Sequence, residues 1–407
     1  MSIRPWLVNG SLAVAVLLAS LAVAEVALRL VFPGPQPEAA SPGYFQHDTL
    51  LGWSKRPGAE AQIETSEYSV RLQINGQGLR GPEYALEKPA GARRVLVLGD
   101  SFVEGYTVQA AETVTQVLES LLIQQTGLPV EALNAGTAGY STDQELLYYE
   151  RDGRRFGADV TVLCVYVNDI WFNGRGSYWR GYKPHFVLTD SGLSLRGVPV
   201  PVRDTLANPF EVEGGRGLVG MVRRTDAWLG MRSTGYRLLR TTVRDSPALS
   251  GMSIRLGFGA VPGEFRPWQV DAEGDLQLAW TVTGELLTAL RAHVERDGGR
   301  LLVFWIPSRP VVYPEDWRQT SRKYAMGAGW NPEQDGVVLK GICAARGLDC
   351  IIEPDAFRVK AAELAPLGRH LYFPRDGHWT ADGHRLAAEL IAARIAPYLN
   401  TDAESTP

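Results

Sequence analysis

Four short polar clusters contain the side chains that could do chemistry. They are Gly99-Asp100-Ser101, Asn134-Ala135-Gly136, Asn168-Asp169 and Asp376-Gly377-His378. Each of the first three ends a short apolar run typical of a buried strand, and the fourth precedes the last periodic helix. In parallel sheets, functional groups gather at the carboxyl ends of the strands. We therefore expect these clusters to form one site.

The residue types predict nucleophilic catalysis. A serine hydroxyl is a weak nucleophile until a histidine accepts its proton, and a carboxylate orients that histidine and stabilises its charged form. Ser101, His378 and Asp376 are therefore the predicted nucleophile, base and orienting acid. Asp382, four residues after His378, is an alternative acid, and His384 is an alternative base.

The other clusters offer hydrogen-bond donors for a developing oxyanion. We expect these donors to be the backbone N–H groups of Ser101 and Gly136 and the side-chain amide of Asn168. Gly136 suits this role because it has no Cβ to block a ligand. Asp100 is expected to accept local N–H groups. Each cluster alone is typical of a turn or a helix cap, so the prediction depends on the order and placement of all four.

The elements that must position these clusters alternate between strand and helix. Apolar runs at 94–98, 130–134, 160–167, 300–306 and 348–352 predict strands, and periodic stretches between them predict helices. The fold class is therefore α/β, an αβα sandwich around a mainly parallel sheet. The predicted boundaries are a targeting segment (1–32), a linker (33–43), a β-rich subdomain (44–90) and a main domain (91–400) with an insertion at about 170–280.

The apolar N-terminus has two main interpretations, and a buried helix of a soluble protein is a third. A membrane anchor would continue through Ala24 to Phe32, whereas a cleaved signal peptide would end at Ala22-Val23-Ala24. Apolar periodicity continues past Ala24, which favours the anchor. Either of the two main interpretations takes the rest of the chain out of the cytoplasm. Cys343 and Cys350 could then form a disulfide, with two free thiols as the alternative.

Composition excludes several protein classes. The 407 residues have a formal charge of −4, which argues against a nucleic-acid binder. The three cysteines contain no CxxC pair, so neither a zinc nor a redox site has support. We expect no cofactor and no metal.

Aromatic residues follow Asn168 in the insertion, and they would form either its core or a platform for an acyl group or a sugar. This group comprises Trp171, Phe172, Tyr178, Trp179 and Tyr182. Trp379 could line the site beside His378. Glu104 and Asp143 are expected to be helix-cap charges rather than catalytic groups.

The four clusters together resemble the blocks of the SGNH, or GDSL-type, hydrolases. Ser101 lies in LGDSFVEG, Gly136 in NAGTAGYS, Asn168 in YVND and His378 in DGHWTADGH, in the family's chain order. The resemblance covers about residues 94–169 and 300–398. QINGQGLRG, YSTDQELLYYE and the N-terminal ExxLR are similar to a bacterial membrane-anchored branch of the family. The resemblance implies an αβα fold, no cofactor, and ester hydrolysis or acyl transfer through an acyl-serine.

One position departs from the family pattern. Most members have the acid three residues before the histidine, where this chain has Arg375, and Asp376 lies only two before it. A D-x-H spacing is similar to that of SGNH-like polysaccharide O-acetyltransferases, such as those acting on alginate.

Three functions follow from these patterns. The first is an extracytoplasmic serine esterase, anchored in the bacterial inner membrane or secreted, that cleaves a short acyl ester of a small molecule or glycan. The second is an O-acetyltransferase acting on an envelope or secreted polysaccharide, which would need a separate acyl-donor protein. The third is a non-catalytic glycan-binding module, against which the intact Ser101, Asn168 and His378 argue.

Overall fold

The computed structural model describes residues 5–31, 43–202, 232–257 and 259–401, with four isolated positions between 221 and 230. Contacts divide the chain into two compact units. The first comprises residues 1–40, 205–260 and 321–325, and the second comprises 41–204, 261–320 and 326–407. Except for Gly43, the expected linker at 33–43 lies outside the described residues.

The helices and strands follow one another along the chain. Up to residue 172 they are α1 (Pro5–Val31), β1 (Phe45–Asp48), β2 (Gly52–Lys55), β3 (Glu60–Glu64), β4 (Ser69–Gln73), β5 (Arg93–Leu98), α2 (Ser101–Glu104), α3 (Val114–Thr126), β6 (Val130–Asn134), α4 (Thr142–Arg151), β7 (Val160–Val165) and α5 (Val167–Phe172). Between residues 177 and 255 they are β8 (Ser177–Tyr178), β9 (Gly181–Tyr182), β10 (His185–Thr189), β11 (Gly192–Arg196), α6 (Thr234–Asp245) and α7 (Pro247–Arg255). The remainder are α8 (Asp275–Arg296), β12 (Arg300–Trp305), α9 (Arg309–Val312), α10 (Pro314–Lys323), α11 (Gln334–Arg346), β13 (Asp349–Ile351), α12 (Pro354–Leu364) and α13 (Ala381–Thr401).

A five-stranded parallel sheet forms the centre of the second unit, in the order β13-β12-β7-β5-β6. Successive side chains of a strand point to opposite faces. Val95 and Val97 of β5 accordingly pack in one apolar cluster with α3, α12 and α13. Leu96 and Leu98 pack in a second cluster with α4 and α8. Helices therefore cover both faces of the sheet, which confirms the predicted αβα sandwich.

The β-rich segment before the sheet contains a hairpin formed by β3 and β4. These strands pair from Glu60↔Gln73 to Glu64↔Ser69. Thr65 closes this turn, because its hydroxyl accepts the backbone N–H groups of Glu67 and Tyr68. Asn75-Gly76 forms a second, smaller turn beyond β4. We name residues 65–68 the hairpin turn.

Two other elements differ in their bounds from the sequence prediction. Strand β7 ends at Val165 rather than 167, because Asp169 accepts the Tyr166 N–H at 2.8 Å and thereby caps α5. Helix α8 begins at Asp275, inside the insertion expected at about 170–280. Its first two turns bury Leu276, Ala279 and Trp280, apolar residues that the sequence pattern had placed in the insertion.

The N-terminal helix α1 continues through Ala24 to Val31 without a break. Among the described residues, no helix combines the length and the apolar character needed to cross a membrane. Cys343 and Cys350 are joined by a disulfide. Cys164 is a buried free thiol within β7, as expected for a core residue.

Candidate active site

Ser101 lies at a sharp turn from strand β5 into helix α2. Asp100 caps this helix, since its Oδ1 accepts the Phe102 N–H at 2.9 Å. Gly99 allows the turn because a Cβ there would lie 2.4 Å from Cγ2 of Val103. The first N–H groups of a helix have no partner within it, and among the described residues the Ser101 N–H has none elsewhere. Ser101 thus presents both a hydroxyl and a free donor.

Ser101, His378 and Asp376 form a continuous chain of hydrogen bonds. The Ser101 Oγ lies 2.8 Å from Nε2 of His378. Nδ1 of His378 lies 2.7 Å from Oδ1 of Asp376. With the Nδ1 proton donated to the carboxylate, Nε2 can accept the serine proton. This is the geometry that activates a serine nucleophile.

Asp376 is half-buried, and all of its carboxylate oxygens have partners. Its Oδ2 accepts the hydroxyl of Tyr68 at 2.8 Å and that of Tyr106 at 3.3 Å. Burial acts to raise the pKa of Asp376, but the hydrogen bonds from His378 and Tyr68 outweigh it and hold the pKa below its usual value. The carboxylate therefore stays ionised through the neutral range.

The alternative acid and base lie elsewhere. Asp382 pairs with Arg369, whose Nε lies 2.9 Å from Oδ2 of Asp382. His384 is buried within α13 and its Nδ1 accepts the Val114 N–H at 3.1 Å. Burial, with a smaller contribution from Arg80, lowers the pKa of His384 to about 3, so its imidazole is neutral and structural.

Asn168 lies beside the nucleophile in the first turn of α5. Its Nδ2 is 3.4 Å from Oδ2 of Asp100 and 3.3 Å from the hydroxyl of Tyr178. Both contacts are long, which leaves the amide able to turn to a stronger acceptor. Asp100 also accepts the Phe102 N–H, as expected of a local acceptor, and burial raises the pKa of its carboxyl.

Gly136 and Gly139 differ in what their backbone N–H groups contact. The Gly136 N–H donates to Oδ1 of Asn134 at 3.1 Å, and a Cβ at Gly136 would lie 2.3 Å from the backbone nitrogen of Glu104. Gly136 therefore lets its loop pack against α2. The Gly139 N–H has no hydrogen-bond partner among the described residues, and Gly139 has a φ of +76°.

The chain thus folds as an αβα sandwich around a five-stranded parallel sheet, and this fold brings Ser101 and His378 into contact. No family model matches the sequence, and no curated protein does.

Three solved structures illustrate what this chain is similar to. TesA matches at 11% identity and a TM-score of 0.36, over 75% of this chain and 99% of TesA. A catalytic mutant of Axe2, an acetylxylan esterase from Geobacillus stearothermophilus, matches at 12% identity and a TM-score of 0.38, over 74% and 94%. The lipase/acylhydrolase from Enterococcus faecalis matches at 12% identity and a TM-score of 0.35, over 75% and 96%.

Glu104, expected to be a helix-cap charge, holds the loop between β6 and α4. Its Oε2 accepts the Ala138 N–H at 2.6 Å, and its Oε1 accepts the hydroxyl of Tyr44, also at 2.6 Å. Nζ of Lys55 donates to the Gly136 carbonyl in the same loop. The segment that contains Gly136 and Gly139 is therefore held by buried polar groups from the β-rich segment and from α2.

Asp143 lies in the first turn of α4 and forms a fully buried pair with Lys183, with Oδ2 and Nζ 2.5 Å apart. Burial raises the pKa of Asp143 and lowers that of Lys183. Among the described residues, neither group contacts a triad atom, so the pair is structural. Among the described residues, no group of three or more His, Cys, Asp or Glu side chains is arranged to hold a metal.

The aromatic residues of the insertion divide into packed and exposed members. Phe172 stacks on Tyr178 with ring centroids 3.7 Å apart, and Trp171 contacts the guanidinium of Arg175. Trp179 and Tyr182 are about half exposed, at 50% and 49%. A Cβ at Gly139 would lie 2.7 Å from Cε3 of Trp179, which places that ring against the loop between β6 and α4.

Trp379 does not line the site. It is fully buried and its ring packs on Phe102 at 5.1 Å and on His384 at 5.4 Å, so it belongs to the core beneath the triad. Sequence reasoning missed Glu67, Tyr68, Tyr106 and Gly139. The second glycine of NAGTAGYS was a usable signal for Gly139, whereas nothing in the spacing of the two tyrosines indicated a contact with Asp376.

Proposed function

We propose that this chain is an extracytoplasmic serine esterase that cleaves short acyl esters, such as acetyl esters, through an acyl-Ser101 intermediate. The observation that supports this is the continuous hydrogen-bonded chain from Ser101 through His378 to Asp376. The side chains of His378 and Asp376 are partly exposed, so a substrate can reach these hydrogen-bonded residues.

Each half of the reaction uses His378 to move one proton. As the Ser101 Oγ attacks the ester carbonyl, Nε2 of His378 accepts the hydroxyl proton and then gives it to the departing alkoxide. Water then attacks the acyl-serine, His378 accepts its proton, and the carboxylic acid leaves as Ser101 regains a hydrogen. Asp376 stays ionised throughout and stabilises the imidazolium.

Three donors would stabilise the oxyanion formed in each half. The Ser101 N–H and the Asn168 amide are two of them. We propose that the third is the Gly139 N–H rather than that of Gly136, because the Gly136 N–H already donates to Asn134. Gly139 is also next to Ala138, whose N–H is held by Glu104.

The proposed location is the outer face of a bacterial cytoplasmic membrane, with the N-terminal segment as anchor. Two observations support it. Helix α1 passes through the alternative cleavage site at Ala24, and the Cys343–Cys350 disulfide suits an oxidising compartment. Mass spectrometry of the mature N-terminus and membrane fractionation test it, and a soluble chain beginning after Ala24 would contradict an uncleaved anchor.

The activity is tested with the full chain purified in detergent. Wild-type protein should hydrolyse p-nitrophenyl acetate and react covalently with a fluorophosphonate probe. Ser101→Ala should lose both, by about 10³-fold or more in rate. Ser120→Ala, at an exposed position of helix α3, serves as the matched control and should match wild type. Turnover that survives Ser101→Ala would exclude the proposed nucleophile.

A second candidate is an O-acetyltransferase that passes the acyl group from Ser101 to a polysaccharide hydroxyl. It is favoured by the D-x-H arrangement, in which Asp376 does contact His378. The same assay with an added oligosaccharide separates the two functions. Acetylated oligosaccharide in the products would indicate a transferase, and free acetate alone would indicate an esterase. Absence of both turnover and probe labelling would instead indicate a binding module.

A further inference from the structure

The hairpin turn between β3 and β4 lies against the loop that carries Asp376. Oε1 of Glu67 accepts the Arg375 N–H at 2.9 Å, and Oε2 accepts the Asp376 N–H at 2.8 Å. Nη1 of Arg375 donates to the Ser66 hydroxyl at 3.1 Å. With the Tyr68 hydroxyl on Oδ2 of Asp376, four hydrogen bonds join the turn to two consecutive residues of the loop.

Ring packing supports the same contact. The ring of Tyr68 lies 5.0 Å from that of Phe373 and 6.3 Å from that of Tyr106, between centroids. Phe373 begins the loop, and its N–H donates to the His378 carbonyl at 2.8 Å. The Phe373–His378 hydrogen bond therefore joins the two ends of this loop, and the hairpin turn binds Arg375 and Asp376 between them.

We propose that Glu67 and Tyr68 are positioning residues that set the orientation of Asp376 toward His378. The hairpin turn then helps to position the proposed catalytic acid. This inference rests on the esterase function proposed above. It assigns neither residue a contact with substrate, because both act through Asp376.

The two residues have different roles. Glu67 fixes the backbone of the loop, since its two oxygens each hold one N–H. Tyr68 fixes the carboxylate itself by holding Oδ2, and Tyr106 holds the same oxygen at the longer distance of 3.3 Å. Oδ1 is left for His378. Rotation of the carboxylate away from the imidazole would break the Tyr68 contact.

Removing the Tyr68 hydroxyl and removing the Glu67 charge should shift the pH profile of kcat/KM in opposite directions. Several titratable and charged groups surround Asp376 and His378. They are Asp100, Tyr106, Glu67, Tyr68, Arg375 and His384. The Tyr68 hydroxyl withdraws charge from Asp376, so its loss leaves a carboxylate that stabilises the imidazolium more strongly. Glu67 contributes a negative charge, so its neutralisation stabilises the imidazolium less.

The test compares Tyr68→Phe with wild type in full-length protein. Phenylalanine retains the ring packing and removes only the hydroxyl. We expect kcat for p-nitrophenyl acetate to fall by about tenfold with KM unchanged, as for loss of one hydrogen bond to a charged group. The acidic limb of the kcat/KM profile should move up by about half a pH unit. Arg71→Gln, which removes an exposed ion pair on the same hairpin, is the matched control and should change neither.

A second variant keeps the proposal falsifiable if Tyr68→Phe does not fold. Glu67→Gln retains one oxygen acceptor and removes the charge. We expect kcat to fall by about threefold or more and the acidic limb to move to lower pH. A folded variant with wild-type kcat and an unmoved pH profile, for either residue, would overturn the proposal. Failure of the esterase function is a separate outcome, since it would appear as no turnover by wild type or as turnover that survives Ser101→Ala.

Discussion

Asp376 and His378 are joined by two hydrogen bonds rather than one. Oδ1 of Asp376 accepts the His378 ring Nδ1 at 2.7 Å and the His378 backbone N–H at 3.2 Å. A carboxylate two residues before the histidine can make both contacts because the intervening residue is Gly377, whose φ is +86°. The short spacing therefore forms a compact turn in which one oxygen sets both the backbone and the ring.

The first prediction concerns the acid of the triad. Asp376→Asn should lower kcat by about 10³–10⁴-fold, because an amide favours the wrong imidazole tautomer and cannot stabilise the imidazolium. Steady-state hydrolysis of p-nitrophenyl acetate measures it. Asp382→Asn is the matched control, because it breaks only the pair with Arg369 and should retain most activity. The reverse order of effects would reassign the acid to Asp382.

The second prediction concerns stability at low pH. Burial lowers the pKa of His384 from 6.5 to about 3 in the folded chain. Below pH 6.5 the unfolded chain therefore binds a proton that the folded chain does not, so stability falls as the pH drops toward 3. This one group should cost about 1.4 kcal/mol per pH unit over much of that window. Chemical denaturation between pH 7 and pH 4.5 measures it.

His384→Asn provides the comparison for that measurement. The asparagine oxygen can still accept the Val114 N–H, but the side chain does not titrate. The variant should lose less stability than wild type between pH 6.5 and 4.5. Parallel curves for the two proteins would show that His384 does not cause the acid sensitivity.

The third prediction concerns the two glycines of the loop between β6 and α4. Gly136→Ala should destabilise the fold by about 3 kcal/mol or more, because its Cβ would lie against the backbone of α2. Gly139→Ala should reduce the rate more than the stability. Its Cβ meets Cε3 of the half-exposed Trp179, which can move aside, although its positive φ adds a cost of roughly 1 kcal/mol. Denaturant titration and kcat together distinguish the two roles.

The fourth prediction concerns Trp179, which is half exposed against Gly139. If its ring supports a bulky substrate, Trp179→Ala should raise KM for an acetylated oligosaccharide by about fivefold or more, consistent with loss of an aromatic contact. It should leave p-nitrophenyl acetate hydrolysis nearly unchanged. Tyr182→Ala, at a similarly exposed position on the same hairpin, controls for local disruption. An equal loss on both substrates would indicate a purely structural role.

The sequence predicted those parts of the molecule that follow from local patterns. Continuous apolar runs identify strands buried on both faces, and for this reason the five strands of the sheet appear within a residue or two of their expected bounds. Ser101 and His378 were predictable because their clusters combine residue type with a position at a strand or helix end.

Contacts between distant segments were not predictable in the same way. Nothing near Tyr68 indicates that its hydroxyl meets Asp376, 308 residues later, since that contact depends on how the β-rich segment packs against the main sheet. The close packing of Gly136 against α2 was likewise not apparent from the sequence. Its lack of a Cβ serves close packing against α2, which sequence alone cannot separate from access for a ligand.

Ser101 and His378 lie 277 residues apart in the chain, although their reacting atoms are only 2.8 Å apart. Such long-range contacts form late in folding, because the intervening chain must first be ordered. A growing chain that has been synthesised only through β5, β6 and β7 therefore contains the Ser101 hydroxyl but lacks His378. If Ser101 is the nucleophile proposed above, it gains its base only when the segment that carries His378 has folded, and ester turnover would then report that this last part of the chain is in place.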